Sequence, residues 1–228
     1  MKKAILITIL GLSLSVQVRS QALIAAVFGK KIDNPALIIG VQVGGNVSFQ
    51  SNTVYDSPRK SFAFGAFTDY RFNPKWHLNT FISFKSNRGV MGLDTSYTIS
   101  RPLDPSLQNA RLDRKLSYVD INPEIQFDVT EGLSLGCGPM ISVMTKAVDY
   151  YHDEGAKEDQ NEYNIYADLV HWDAGISADL QYKLRKGPNF NLKYIQGFNN
   201  PYKSGVNPAA VNSFLYLGIG IPISAHGK

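Results

Sequence analysis

Polar and apolar residues alternate with a period of two along much of this chain. The segment YVDINPEIQFDV at 118–129 shows it clearly, with Asp120, Asn122, Glu124, Gln126 and Asp128 at every second position. Because successive side chains of a β-strand point to opposite faces, the pattern predicts a strand with one polar and one apolar face. Three carboxylates and two amides on one face are compatible with a metal site, an acid/base pair, a sugar-binding cleft or a polar lining.

Eight such segments are bounded by clusters of Asn, Gly, Pro or Asp. They span 37–49, 61–72, 76–88, 118–129, 133–149, 170–184, 189–198 and 213–224. The connections at 73–75, 130–132 and 185–188 are short, whereas those at 50–60, 89–115, 150–169 and 199–212 are long. This alternation predicts an all-β, up-and-down antiparallel barrel with its tight turns at one end and its long loops at the other.

The first 20 residues are predicted to be a secretory signal peptide. Lys2 and Lys3 precede an apolar run that is too short to span a membrane as a helix, and a small-residue cleavage site follows. Without this segment the chain keeps 20 basic and 19 acidic residues, so nucleic acid is not expected as a partner. The predicted division is a signal peptide at 1–20, an N-terminal segment at 21–36 and a barrel at 37–225.

Aromatic residues indicate which face of the barrel is outside. Those beside the short turns are Phe72, Trp76, Phe127, Tyr182 and Phe190, and those near the long loops are Phe49, Phe62, Phe84, Trp172 and Phe198. Within one strand the two sets are eight to ten residues apart. At about 3.3 Å per residue and a tilt of about 40°, this gives roughly 20–25 Å, the height of the apolar band between the aromatic girdles of outer-membrane barrels. The spacing favours an eight-stranded transmembrane barrel with short periplasmic turns and long extracellular loops over a soluble, lipocalin-like barrel.

An outward apolar face places the polar side chains inside the barrel. The acids there are Asp69, Asp120, Glu124, Asp128, Asp173 and Asp179, the bases are Arg71, Lys85, Lys146, Lys183 and Lys193, and His77 and His171 lie on the same faces. Buried charges need partners, so this near balance predicts a structural polar network rather than a catalytic carboxylate site. The turns predict that Asp179 lies opposite Lys193 and that Arg71 lies opposite His77.

Several other patterns resemble functional motifs. Gly132 to Gly136 fits the G-x-S-x-G nucleophile pattern, but no helix follows Ser134 as that motif requires. His171 with Asp173 is the only pair suited to acid/base work in a lipid-modifying enzyme, although we expect a hydrogen bond in the lumen. No histidine spacing fits a metal site, so no metal is expected. Since charge pairing accounts for the lumen carboxylates, no catalytic residue or cofactor is expected either.

Two of the predicted loops are charged, and one strand contains a proline. The loop at 150–163 is acidic, and basic residues in or next to the loop at 89–115 are Arg88, Arg101, Arg111, Arg114 and Lys115. Both loops are expected to be solvated or to contact cations or lipid headgroups. Pro123 lacks an N–H for the sheet, which predicts a bulge or weak pairing around it.

Four stretches resemble the PorT-like outer-membrane β-barrel proteins of Gram-negative bacteria, a porin-like family. These are Gln21-Ala22 after the signal, ALIIGVQVGGNVSF, INPEIQFDVTEGLSLGCGPMIS and LYLGIGIPI. The resemblance implies a barrel in the outer membrane and, for some members, an association with protein secretion across the envelope. Unlike many outer-membrane barrels, this chain does not end on an aromatic residue but continues from Ser224 to Lys228.

We therefore expect a non-enzymatic outer-membrane barrel whose lumen is filled by its own side chains. It would act as a structural, binding or envelope-assembly element through its external loops, with outer-membrane lipid, lipopolysaccharide, or envelope and secretion proteins as partners. Three alternatives stay open: a narrow channel for small solutes, an outer-membrane lipid-modifying enzyme, and a soluble periplasmic ligand-binding barrel.

Overall fold

The computed structural model describes residues 34, 36–94, 97, 111–152, 160–184, 187–203 and 210–223. Its strands are β1 (Leu37–Gln50), β2 (Tyr55–Arg71), β3 (Trp76–Arg88), β4 (Val90–Leu93), β5 (Arg111–Asp128), β6 (Leu133–His152), β7 (Gln160–Asn164), β8 (Trp172–Lys183), β9 (Asn189–Gly197) and β10 (Asn212–Pro222). A 3-10 turn at Tyr166–Asp168 precedes β8. The predicted signal peptide, Arg101, most of the acidic loop and the tail after Ile223 lie outside these residues.

Eight strands close into a ring in the order β1, β2, β3, β5, β6, β8, β9, β10 and back to β1, with every neighbouring pair antiparallel. The closing pair, β1 and β10, is in register from Gly40↔Pro222 to Gln50↔Asn212. No helix within the described ranges is long and apolar enough to cross a membrane. The predicted eight-stranded up-and-down barrel is confirmed. Closure of the ring pairs the edge strands β1 and β10 with each other, which matters because lipid cannot satisfy the backbone hydrogen bonds of an open strand edge.

The wall of the barrel is apolar outside and polar inside. On β1, for example, Val41 and Val43 are exposed, whereas Gln42 and Asn46 are buried. Among the described residues, buried polar and charged side chains outnumber the buried apolar ones. A soluble protein shows the reverse distribution, so the outer surface is suited to lipid.

The ten aromatic residues predicted to form two girdles all lie on the outer face. Nine of them are exposed, and Phe127 is half-buried because its ring packs 4.9 Å from that of Trp76. One set flanks the short connections at 72–75, 129–132 and 184–188, and the other lies toward the opposite end of the barrel. In outer-membrane barrels the end with the short turns is periplasmic.

The connection between β1 and β2 differs from the prediction. It contains only residues 51–54, whereas the sequence pattern predicts a long loop at 50–60. That prediction is wrong because β2 begins at Tyr55 and pairs with β4 through Tyr55↔Leu93 and Pro58↔Val90. The strands therefore continue beyond the girdle on this side.

The predicted bulge at Pro123 is absent, because the β5–β6 register is the same at Ile121↔Ile141 and at Ile125↔Cys137. Ladder pairs between β5 and β6 are missing at 122–124 and 138–140, which agrees with the expectation of weak pairing. The two strands approach closely there, since a Cβ on Gly138 would overlap the carbonyl oxygen of Pro123. Glycine is therefore required at residue 138.

Two bulges lie at one height on β3 and β6, the two strands that flank β5. Between Ser83↔Asp120 and Ser86↔Tyr118, β3 contains one more residue than β5. Between Tyr118↔Met144 and Ser117↔Lys146, β6 likewise contains one more. An extra residue reverses which alternate side chains point inward, so both strands change face at this level.

The outward residues of β5 change character at the same height. Toward the short turns Ile121 and Ile125 are exposed, whereas on the other side of Tyr118 the partly exposed outward positions are Ser117 and Lys115. The inward residues change in the opposite sense, because Leu112 and Leu116 are fully buried. This inversion marks the level at which the wall leaves the apolar band and faces water.

Candidate functional site

The described lumen contains layers of side chains that meet across the barrel, and β5 contributes to most of them. At the short-turn end His77 lies between two carboxylates, with Nδ1 2.8 Å from Asp69 and Nε2 3.1 Å from Asp128. Lys183 also binds Asp69 at 2.8 Å, and Arg71 binds Asp128 at 2.7 Å. We call these five residues the short-turn cluster. Its charges neutralise one another and close this end of the barrel.

The next layer is built around Lys193 of β9. Its ammonium group donates to Glu124 of β5 at 2.5 Å and lies 3.5 Å from Asp179 of β8. The Gln126 side-chain amide donates to the same Asp179 oxygen at 2.6 Å. Lys193 and Glu124 are almost completely buried, so the cation is held by charge and hydrogen bonds rather than by water.

An apolar belt lies above this layer. It consists of Ala63, Phe67, Phe81, Met140, Ile195, Phe214 and Tyr216, all buried. The rings of Phe81 and Tyr216 are 5.6 Å apart, and the Lys193 ammonium group is 5.9 Å from the Phe81 ring centre. A cavity about the size of one water molecule lies beside the belt, so the belt fills most of the lumen at this level.

Arg88 of β3 forms the layer above the belt. Its guanidinium group binds Asp120 at 2.5 Å, Asp173 at 3.3 Å and the Ser142 hydroxyl at 2.8 Å. The rings of Tyr118 and Phe214 lie on it, with centres 4.3 Å and 4.5 Å from the guanidinium carbon. Arg88 is completely buried, and these contacts fix a planar cation across the lumen.

The outermost layer is a clamp around Arg114 of β5. Two guanidinium nitrogens bind the two oxygens of Asp149 at 2.7 Å and 2.6 Å, and a third donates to the Tyr202 hydroxyl at 3.0 Å. Tyr202 donates in turn to Gln50 of β1 at 2.6 Å. Tyr202 belongs to the connection between β9 and β10, and burial raises the pKa of its hydroxyl. The clamp therefore fastens a long connection into the mouth of the barrel.

Tyr202→Phe is expected to destabilise the barrel by about 1–3 kcal/mol, because it leaves an Arg114 N–H and the Gln50 oxygen buried without this partner. Urea unfolding in lipid vesicles measures the change. Tyr182→Phe, at an outward girdle position, is the control and should have little effect. Equal losses for the two variants would contradict the assignment of Tyr202 to the clamp.

Most of the predicted lumen residues lie inside the barrel, and several pair as the turns require. Asp179 is opposite Lys193, and Arg71 is opposite His77. Arg71 lies at the rim with 40% of its side chain exposed. Lys85 and Lys146 are exposed on the outer face, contrary to the prediction, because each follows a bulge that reverses the alternation.

The sequence analysis missed the two arginines that organise the upper lumen. Arg88 and Arg114 are placed by the sequence pattern in or beside a basic loop, whereas both are fully buried on strands. An inward-facing signal was present around Arg114, since Leu112, Arg114 and Leu116 alternate with polar residues. That pattern is readable only once the change of polarity beyond Tyr118 is known.

The motifs that resembled enzyme sites do not assemble into one. Ser134 continues along β6 in extended conformation and donates to Asp128 at 2.6 Å. His171 stacks on Tyr166 with ring centres 3.9 Å apart, while Asp173 binds Arg88 and the Asn199 N–H, so the proposed acid/base pair is not formed. Over the part of the chain that is described, no group of three or more His, Cys, Asp or Glu side chains is arranged to hold a metal ion.

Comparison with known proteins agrees with this architecture. The family described as outer membrane protein beta-barrel domain matches residues 34–202. No curated protein matches. Among solved structures, Ail of Yersinia pestis in complex with the heparin analogue sucrose octasulfate is similar with 13% identity and a TM-score of 0.45, covering 82% of this chain and 98% of its own.

Two further structures are similar at the same level. Neisserial surface protein A has 10% identity and a TM-score of 0.45, covering 82% of this chain and 96% of its own. OprG of Pseudomonas aeruginosa has 14% identity and a TM-score of 0.39, with 82% and 92% covered. The family match extends over most of the chain and includes seven of the eight ring strands. The chain therefore belongs to the outer membrane protein beta-barrel domain family.

Proposed function

We propose that this protein is a non-enzymatic barrel of the bacterial outer membrane whose closed lumen makes it a structural and binding element rather than a diffusion pore. Its work would be done on its outer surface and external loops, through contacts with lipid or with other envelope proteins, including those of secretion. The observation that carries the proposal is the stacking of ion-paired and apolar layers along the lumen.

Each layer supports the proposal in a different way. The Lys193 and Arg88 layers place a buried cation between carboxylates of different strands, so opening the lumen there would expose unpaired charges to a low-dielectric interior. The apolar belt between them fills most of the lumen at its level and leaves a cavity of only about one water molecule. A conducting channel would require the Lys193 layer, the apolar belt and the Arg88 layer to rearrange together.

The arrangement of polar groups also argues against an enzyme. Asp120, Glu124 and Asp179 are each engaged by a cation or an amide, and none lies in an open cleft where a substrate would bind. General acid/base catalysis needs a carboxyl group within reach of a reacting atom. The same groups serve well as cross-links between strands.

The test is ion conductance of the refolded full-length mature protein in planar lipid bilayers. We expect no discrete current steps at protein levels where an open porin run in parallel gives many. Heat-modifiable gel mobility of the same sample reports that the barrel is folded. Steady single-channel steps from folded protein would overturn the closed-lumen proposal and favour the narrow channel.

A further inference from the structure

A group of cations lies on the outside of the barrel at the height where its wall leaves the apolar band. Arg59 of β2, Lys85 of β3, Lys115 of β5 and Lys146 of β6 come from four neighbouring strands, and we call them the rim cations. Lys146 is opposite Ser117, two residues along β5 from Lys115, Lys85 precedes Ser86, which is opposite Tyr118, and Arg59 donates to the carbonyl oxygen of Arg114, next to Lys115. Cations gathered in this way are unfavourable unless an anion joins them.

Among the described residues, little negative charge lies against the rim cations. Within the described ranges Glu162 is the only carboxylate in an ion pair with them, binding Lys146 at 2.8 Å with both side chains about half exposed. Asp113 lies near Arg59 but is already paired with His152 at 3.2 Å. An exposed pair such as Lys146–Glu162 contributes little and can exchange for a stronger anion.

The bulges are what bring the lysines to this surface. Uninterrupted alternation would turn Lys85 and Lys146 into the lumen, but the extra residues at one height on β3 and β6 present both side chains outward. Lys85 directly follows the girdle residue Phe84 and is opposite Phe64 on β2. The cations thus stand at the aromatic girdle, the depth of lipid headgroups.

The surface beneath the rim cations is suited to acyl chains. The rings of Phe64 and Phe84 are 6.2 Å apart, and Ile121, Ile141 and Val143 are exposed on β5 and β6. A soluble phosphate would use only the cations, whereas a phosphorylated glycolipid would use the cations and the apolar face together. This continuity of charge and apolar surface on the same strands favours a lipid ligand.

We propose that the rim cations bind the phosphorylated headgroup of an outer-leaflet glycolipid of the lipid A type, whose acyl chains pack on the apolar surface below. This inference rests on the proposed function, because it requires the barrel to lie in the outer membrane. The lipid phosphates contact Lys85, Lys115 and Lys146, while Arg59 keeps its hydrogen bond to the carbonyl oxygen of Arg114.

The test is a titration of bisphosphorylated lipid A into phosphatidylcholine nanodiscs that contain the mature protein, read by native mass spectrometry. The triple variant Lys85→Gln/Lys115→Gln/Lys146→Gln should bind about 100-fold more weakly, since each cation at an anionic surface contributes roughly a fivefold factor. Dephosphorylated lipid A should bind the wild-type protein and the variant about equally. The arginine variant Lys85→Arg/Lys115→Arg/Lys146→Arg should retain most of the affinity.

Lys75→Gln is the control, because Lys75 is an exposed cation at the opposite end of the barrel. Heat-modifiable mobility checks that each variant is folded. Equal affinity of the folded triple glutamine variant and the wild-type protein would overturn the proposal, and so would displacement of lipid A by an equal concentration of inorganic pyrophosphate. A conductance measurement is independent of this titration, so a conducting barrel would refute the closed lumen and leave the lipid result to be judged separately.

Discussion

Replacing Arg88 with methionine is expected to destabilise the folded barrel by about 3–5 kcal/mol, because it leaves Asp120 and Asp173 buried without their shared cation. Methionine preserves much of the apolar stem, so the loss reports mainly the charge and its hydrogen bonds. The stacking of the guanidinium group between Tyr118 and Phe214 adds to it. Urea titration of the barrel in lipid vesicles, followed by gel mobility without heating, measures the free energy of unfolding.

The matched control is Lys85→Met, three positions earlier on β3. Lys85 is exposed, and its replacement should change the free energy of unfolding by no more than about 0.5 kcal/mol. Replacing both carboxylates with amides in the variant Arg88→Met/Asp120→Asn/Asp173→Asn should recover much of the loss, because no unpaired charge is then buried. Equal losses for Arg88→Met and Lys85→Met would contradict the reversal of faces at the bulge.

Close to the tight turns, the sequence predicts the interior of this barrel in detail. The pairs Asp179↔Lys193 and Arg71↔His77 follow from counting outward from the turns at 184–188 and 72–75. A short turn fixes the register of the two strands it joins, and period two then assigns every side chain to a face. Both pairs lie within the first few rungs, before any bulge intervenes.

Farther from the turns, prediction fails at the bulges. Nothing in Ser83-Phe84-Lys85-Ser86 or in Met144-Thr145-Lys146 departs from ordinary strand composition, and neither stretch contains glycine or proline. Each bulge is a property of the pairing between strands. The two bulges become visible only when the register of β5 around Tyr118 is compared with that of β3 and with that of β6. Alternation read within one strand therefore assigns Lys85 and Lys146 to the wrong face.

The outer part of the barrel follows a different rule from the part inside the apolar band. Beyond Tyr118 the outward residues of β5 are polar and the inward ones include Leu112 and Leu116, as in a soluble β-sheet. A single rule of apolar outside and polar inside treats this stretch as a loop and overlooks Arg114. The solvent around the wall, rather than the backbone, decides which pattern a strand shows.

Phe81→Ala is expected to cost about 3–5 kcal/mol, because it removes a large buried ring from the apolar belt and leaves a cavity. Phe81 contacts the rings and aliphatic groups of several strands, and the small cavity beside the belt would merge with the new space. The surrounding charged layers are fixed by their own ion pairs and are not free to collapse into it. The urea titration used for Arg88 measures this loss.

Phe84→Ala on the same strand separates the two faces of the wall. Phe84 is 54% exposed on the outer surface, where acyl chains replace the lost contacts, so its removal should cost less than about 1 kcal/mol in lipid vesicles. The contrast between residues 81 and 84 depends on the inside of the barrel being packed and the outside being solvated by lipid. If Phe84→Ala instead cost as much as Phe81→Ala, the outward aromatic ring would have to be packed against protein, and the assignment of this face to the membrane would be wrong.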